Sequence, residues 1–107
     1  MDYAMDVHRY LCSDLVVLKT KDEESVVNLE EIWTSGAAFE SEKAVESGSR
    51  LEILGGGSHF HGTATSVEHH EFGWRVEMEF SPLTPWDPAR YQPKHLLGLP
   101  YIETAPD

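Results

Sequence analysis

Residues 72–80 read FGWRVEMEF and show the clearest structural pattern in the chain. Apolar side chains occupy every second position from Phe72 to Phe80, and glycine or charged residues fill the positions between them. A period of two turns the apolar side chains toward a core and the polar ones toward water on the opposite face of a β-strand. The pattern therefore predicts a half-buried strand.

The residues before this strand complete a three-stranded meander. Leu51 and Ile53 alternate with charged residues, and the glycine run at 55–57 supplies a turn into a middle strand at 59–68. Residues 49–80 are thus interpreted as three consecutive antiparallel strands.

The first half of the chain contributes three shorter strands. Apolar segments at 15–19 and 25–31 are joined by four charged residues, an arrangement that predicts an antiparallel hairpin. A third short strand is expected around residues 37–39, between two glycine-containing turns. The spacing predicts an all-β fold, a six-stranded antiparallel β-barrel over about residues 13–81, in a single domain covering 1–107.

The C-terminal segment, residues 82–107, has a different character because it holds all six prolines of the chain. Asp87 followed by Pro88 matches a helix N-cap with proline at the first helical position. Helical turns are predicted at 89–92 and 94–97. We therefore expect a short, Pro-rich and weakly helical segment that packs on the barrel.

The charge of the chain restricts its partners. Nineteen acidic residues against eight basic ones give a formal net charge of −11, which disfavours nucleic-acid polymers and anionic membrane surfaces. The longest aliphatic run, at 15–18, is too short to cross a membrane. The single Cys12 cannot form an intrachain disulfide, and the first six residues lack signal-peptide features. A cytoplasmic protein is expected.

Catalytic and metal-binding patterns are weak. His59 and His61 lie at i and i+2 and would share one strand face, but two ligands leave a tetrahedral metal site half empty, so no metal site is predicted. Cys12 is expected to be a buried thiol, and the glycine run lacks the lysine of a phosphate-binding loop. The sequence predicts neither an enzyme nor a cofactor; a small-barrel metal-binding protein is the third hypothesis.

Four segments, taken in order, resemble the PilZ domain family, and the resemblance covers about residues 8–81. They are RYLCSDLV at 9–16, LEEIWTSGAAF at 29–39, GSRLEI at 48–53 and WRVEMEFS at 74–81. The resemblance implies a bacterial, six-stranded barrel with a C-terminal helix. Many members of this family bind cyclic di-GMP, a second messenger.

The ligand site of that family uses two arginines spaced Arg-x-x-x-Arg. Guanidinium groups match phosphates and guanine edges and stack on bases. Arg9 is similar to one of these arginines, but the position of its partner holds Met5 or Ser13, and neither is cationic. Arg9 is instead expected to pair with an acid such as Asp6 or Asp14.

The family site also uses an Asp/Asn-x-Ser-x-x-Gly turn. Here Glu31 stands in place of Asp or Asn, Trp33 in place of Ser, and only Gly36 remains. If a nucleotide binds, the resemblance assigns the ligand contacts to Arg9, Glu31, Trp33, Ser35 and Gly36. Gly36 is expected to adopt a positive φ. We interpret the cyclic di-GMP site as eroded.

The leading hypothesis is a non-enzymatic PilZ-like regulatory or adaptor domain that contacts another protein. Trp33 either packs against the barrel or forms, with Trp86, an exposed aromatic anchor for that partner. The alternative is direct cyclic di-GMP binding through a divergent site.

Overall fold

Alternating apolar and polar side chains organise the chain into six β-strands. The computed structural model describes residues 8–97. Its strands are β1 (Tyr10–Lys19), β2 (Glu24–Trp33), β3 (Gly36–Ser41), β4 (Arg50–Gly55), β5 (Ser58–His70) and β6 (Gly73–Phe80). Strand β1 begins at Tyr10 rather than at residue 13, because Tyr10 and Cys12 continue its inward-facing row and pack against the core.

The six strands form a closed antiparallel barrel in the order β1-β2-β3-β6-β5-β4. The predicted β1–β2 hairpin and the β4–β5–β6 meander are confirmed. The third strand, β3, lies between β2 and β6. Residues 17–19 of β1 pair with 52–54 of β4 and close the barrel. The predicted fold class, an all-β six-stranded antiparallel barrel, is confirmed.

The barrel interior is filled by the inward-facing side chains of all six strands. The largest fully buried side chains in the described residues are Trp86 of the C-terminal segment and, from the strands, Phe39, Phe60, Leu18, Leu29, Ile32, Ile53, Met78 and Val76. On β6 the predicted alternation holds from Val76 to Phe80. It is wrong at Phe72, which is 83% exposed because it lies in the β5–β6 turn and outside the strand.

The C-terminal segment crosses one end of the barrel without forming a helix in its described part, residues 82–97. The predicted cap exists: Asp87 Oδ1 accepts hydrogen bonds from the backbone N–H groups of Ala89 (2.8 Å) and Arg90 (3.1 Å). The backbone then makes only a turn. Pro93 follows too soon for a helix to propagate beyond its nucleus. The helical turn predicted at 89–92 is present only as one turn, in which the Asp87 carbonyl accepts from Arg90 N–H (3.0 Å) and Tyr91 N–H (3.3 Å). No helix follows it up to residue 97, and residues 98–107 lie outside the described residues.

Two aromatic residues attach this segment to the barrel. The indole of Trp86 is 2% exposed, and its Nε1–H donates to the carbonyl of Tyr91 at 2.7 Å. The hydroxyl of Tyr91 donates to Asp14 Oδ2 on β1 at 2.6 Å. Burial and this hydrogen bond raise the pKa of Tyr91, so the phenol stays neutral. Trp86 is therefore a core residue that covers the barrel end.

No helix in the described part of the chain is long and apolar enough to cross a membrane.

Candidate functional site

Arg9, the one arginine that matches the PilZ pattern, lies just before β1 and is held by groups from two other strands. Its Nη1 is 3.1 Å from Glu77 Oε2 on β6 and 3.4 Å from Glu31 Oε1 on β2. Its Cζ lies 3.8 Å from the centroid of the Trp33 ring, a cation–π contact. The hydrogen bond with Glu77 is the main reason that the pKa of Arg9 is raised.

The predicted acid partners of Arg9 are wrong where the structure describes them. Asp14 accepts a hydrogen bond from Tyr91 instead, and Asp6 lies outside the described residues. Arg9 is bound by acids distant in sequence because the barrel brings β2 and β6 to either side of β3. Glu31 pairs with Ala38, and Ala38 pairs with Glu77.

A second arginine, Arg75 on β6, completes a charged cluster on this outer face. Arg75 Nη1 lies 3.1 Å from Glu30 Oε1, and Nη2 lies 3.3 Å from Glu31 Oε1 and 3.8 Å from Glu77 Oε2. Arg75 was not among the predicted site residues. Its position between apolar residues in the alternating β6 pattern does indicate that it faces outward. We call Arg9, Arg75, Glu30, Glu31 and Glu77 the carboxylate–guanidinium cluster.

Both arginines of the carboxylate–guanidinium cluster form ion pairs with carboxylates of the same cluster. Two guanidinium groups face three carboxylates, a formal charge of 2 − 3 = −1. Burial is the main cause that raises the pKa of Glu30, and repulsion from Glu40 is the second. Each guanidinium already donates to carboxylates, so an incoming phosphate has to displace a bound acid.

Trp33 and Gly36 are packed directly against each other. A Cβ on Gly36 would lie 2.9 Å from the Trp33 ring and 2.4 Å from the Met78 carbonyl oxygen. Gly36 is therefore required by close approach. The predicted positive φ at Gly36 is wrong, since its φ lies outside the left-handed region. Ser35 is in the β2–β3 turn, where its carbonyl accepts from Phe80 N–H at 2.7 Å.

The exposed aromatic anchor is not formed. Trp33 is 6% exposed and Trp86 is 2% exposed, so neither indole offers a surface to a partner protein. Trp33 follows the alternative prediction, that its ring packs against the barrel, and Trp86 is buried as well. Trp86 belongs to the hydrophobic core cluster, where its ring centroid lies 5.6 Å from that of Tyr10.

Exposed apolar side chains occur elsewhere, on the outer face of β1 and β2. Leu15 is 69% exposed and Val26 is 63% exposed. Val17 pairs with Val26 in register and is half-buried beside them. We call Leu15, Val17 and Val26 the β1–β2 patch.

One group of possible metal ligands occurs in the described residues, and it was not predicted. Glu52, His59 and His61 offer donor atoms that all lie within 4.8 Å of one another. Only the two histidines on β5 were predicted as possible ligands, and Glu52 on β4 is the third. Counting back across the predicted hairpin turn at 55–57 would have placed Glu52 opposite His61.

Cys12 is not an activated nucleophile. Burial and the carboxylates around it raise the pKa of its thiol to about 12. Its Sγ lies 3.7 Å from the Leu29 carbonyl oxygen. A thiol with such a pKa is protonated at neutral pH and is a poor nucleophile and metal ligand.

In comparisons with known proteins, no protein-family model matches the chain, and no curated protein matches it significantly.

Proposed function

We propose that the chain is a PilZ-like regulatory or adaptor domain that has no enzymatic activity and acts by contact with another protein. The observation that carries the proposal is the carboxylate–guanidinium cluster, in which Arg9 is already bound by Glu31 and Glu77. The barrel architecture and the order of the four PilZ-like segments support the family resemblance.

Electrostatics disfavour a nucleotide at this position. Cyclic di-GMP is a dianion, whereas the cluster carries a formal charge of −1 and the chain carries −11. The ligand has to break the Arg9–Glu77 contact, which leaves Glu77 with only the 3.8 Å contact to Arg75. Because both side chains of the pair are partly exposed, losing this contact costs about 1 kcal/mol or less, and the net negative charge adds to it.

Sterics act in the same direction. Where the PilZ pattern has a small serine, Trp33 lies over Gly36 and stacks on the Arg9 guanidinium. One face of the Arg9 guanidinium is therefore already covered by an indole. Its charge is paired with carboxylates, and half of its stacking surface is occupied internally.

The β1–β2 patch is the surface we propose for the partner protein. Leu15 and Val26 expose apolar side chains that do not belong to the core cluster. Acidic Glu24 lies on the same hairpin. Because Glu24 is paired with Lys19 at 3.6 Å, these side chains suit a partner surface that is apolar at its centre and polar at its edge.

Titration of the purified protein with cyclic di-GMP is expected to show no binding, or a dissociation constant above about 1 mM. That constant corresponds to a binding free energy of about −4 kcal/mol. Isothermal titration calorimetry at stated salt concentration measures it. Arg9→Ala and Arg50→Ala are titrated alongside, since Arg50 is an exposed arginine outside the cluster. A dissociation constant below about 10 μM that Arg9→Ala abolishes and Arg50→Ala preserves would establish the alternative, messenger sensing through a divergent site.

Lysine substitutions in the β1–β2 patch test the adaptor role. Proteins that cross-link to the wild-type chain in its native cells are expected not to cross-link to the double variant Leu15→Lys/Val26→Lys. The reason is that lysines buried in an apolar interface disfavour it. Leu83→Lys is the matched control, since Leu83 is 87% exposed and lies outside the patch. Cross-linking that is equal in all three proteins contradicts the proposed surface.

A further inference from the structure

We propose that Glu52, His59 and His61 form a binding site for a divalent transition-metal ion of the zinc class on the outer face of the barrel. This inference does not depend on the proposed function, because the three side chains lie outside both the carboxylate–guanidinium cluster and the β1–β2 patch. We call the three residues the Glu-His-His site.

The geometry of the donor atoms suits one ion. His59 Nδ1 lies 2.8 Å and His61 Nε2 lies 3.7 Å from Glu52 Oε2. Zinc with nitrogen and oxygen ligands at about 2.0–2.2 Å in a tetrahedral arrangement needs donor atoms roughly 3.3–3.6 Å apart. The three donor atoms all lie within 4.8 Å of one another, so side-chain adjustments of about 1 Å bring them to these separations. Neutral His59 presents its Nδ1 lone pair when its proton is on Nε2.

The backbone beneath the site has a fixed register. Glu52 pairs directly with His61, and Leu54 pairs with His59, in the β4–β5 hairpin. The hairpin is joined by Gly56 and Gly57, with φ of 57° and 83°. Positive φ at both central residues is the signature of a two-residue type I′ turn, which sets the strand register. The ligand positions are thus organised before an ion binds.

The charge around the site favours a cation. In the described part of the chain, no lysine or arginine forms an ion pair with Glu52; its side-chain contacts there are with the imidazoles of His59 and His61. Lys19, which pairs with Glu52 in the β1–β4 register, lies 3.6 Å from Glu24 Oε2 instead. The formal charge of −11 adds a long-range attraction for cations.

The donor types select the metal. Two imidazoles and one carboxylate suit zinc and neighbouring late transition metals, whereas magnesium and calcium require oxygen ligands. Three protein ligands leave a fourth coordination position open to water, as in zinc sites that are not fully enclosed by protein.

Zinc titration of the untagged, metal-free full chain tests the site. Calorimetry with a competing chelator is expected to give one ion per chain with a dissociation constant at or below about 10 μM. His61→Ala and Glu52→Gln each remove a direct ligand. We expect each to weaken binding by more than the roughly 10- to 100-fold that loss of an outer-shell partner costs.

His70→Ala is the matched control. His70 also bonds a carboxylate, Glu40, at 2.8 Å, but no third donor completes a cluster there among the described residues. We expect wild-type affinity in this variant. Circular dichroism verifies the fold of each variant, and cobalt(II) absorption in the visible range reports tetrahedral coordination in the wild type. Binding weaker than about 100 μM, or equal zinc affinity in wild type and His61→Ala, overturns the proposal.

Discussion

Substitution of Trp86 by alanine is expected to lower the free energy of unfolding by about 3 to 5 kcal/mol, the range for truncating a buried large aromatic side chain. The indole is 2% exposed and belongs to the core cluster with Phe60 and Tyr91. The substitution also leaves the Tyr91 carbonyl without its 2.7 Å hydrogen bond from Nε1. Both losses act at the barrel end that the C-terminal segment covers.

Urea unfolding followed by far-UV circular dichroism measures this effect, and Trp86→Phe is the control. Phenylalanine fills much of the same space but cannot donate to Tyr91, so we expect a smaller loss of about 1 to 2 kcal/mol. Trp86→Phe also keeps the test interpretable if the alanine variant does not fold. An unfolding midpoint in Trp86→Ala equal to that of the wild type would contradict the role of Trp86 as a core residue.

Substitution of Gly62 by alanine is the second large expected effect, about 3 kcal/mol of destabilisation. A Cβ on Gly62 would lie 2.0 Å from the carbonyl oxygen and 2.8 Å from the carbonyl carbon of Glu79. These are backbone atoms of the neighbouring strand β6, so rotation of a side chain cannot relieve the clash. The two strands have to separate locally, and the β5–β6 pairing is weakened.

Thr63→Ala is the matched control, one residue further along β5. Thr63 is exposed, and its side chain forms no hydrogen bond with the described residues. We expect a change within the roughly 1 kcal/mol span of strand propensity. Thermal and urea unfolding compare the two variants. If Gly62→Ala is as stable as Thr63→Ala, the close approach of β5 and β6 at Gly62 is wrong.

Local patterns were sufficient to predict most of the strands. The alternation on β6, the apolar pairs on β4 and the glycine turn at 55–57 each act within ten residues of the chain, and the structure confirms the hairpins that they predict. The C-terminal segment makes a single turn after Asp87 and no helix up to residue 97, because tertiary anchoring by Trp86 and Tyr91, together with proline spacing, decides that backbone. Local capping by Asp87 was correctly predicted but does not suffice for a helix.

The candidate sites were harder to predict because they join strands that are not adjacent in sequence. Arg9 meets Glu77 only because β3 pairs with both β2 and β6. Without the strand order, the sequence favours ion pairs between Arg9 and acids that are close in the chain. The Glu-His-His site was predictable in principle, since both of its strands belong to one hairpin. It was missed because ligands were sought on β5 alone.

The buried Trp33 and Trp86 show a related limit. Trp33 precedes a turn and Trp86 lies between prolines, where composition does not distinguish a buried ring from an exposed one. The distinction follows from the tertiary neighbours: Trp33 lies between Arg9 and Gly36, and Trp86 packs into the core and donates to the Tyr91 carbonyl. Only the folded arrangement provides these neighbours.

The short pairing that closes the barrel has a consequence for how the chain folds and opens. Only three residue pairs join β1 to β4, and they connect residues as far apart as Val17 and Leu54. Bringing such distant segments together costs loop-closure entropy that few hydrogen bonds offset, so this contact is expected to form late and to open first. Glu52, His59 and His61 all belong to the β4–β5 hairpin. A metal ion bound there would therefore stay on an intact hairpin while the barrel opens and recloses beside it.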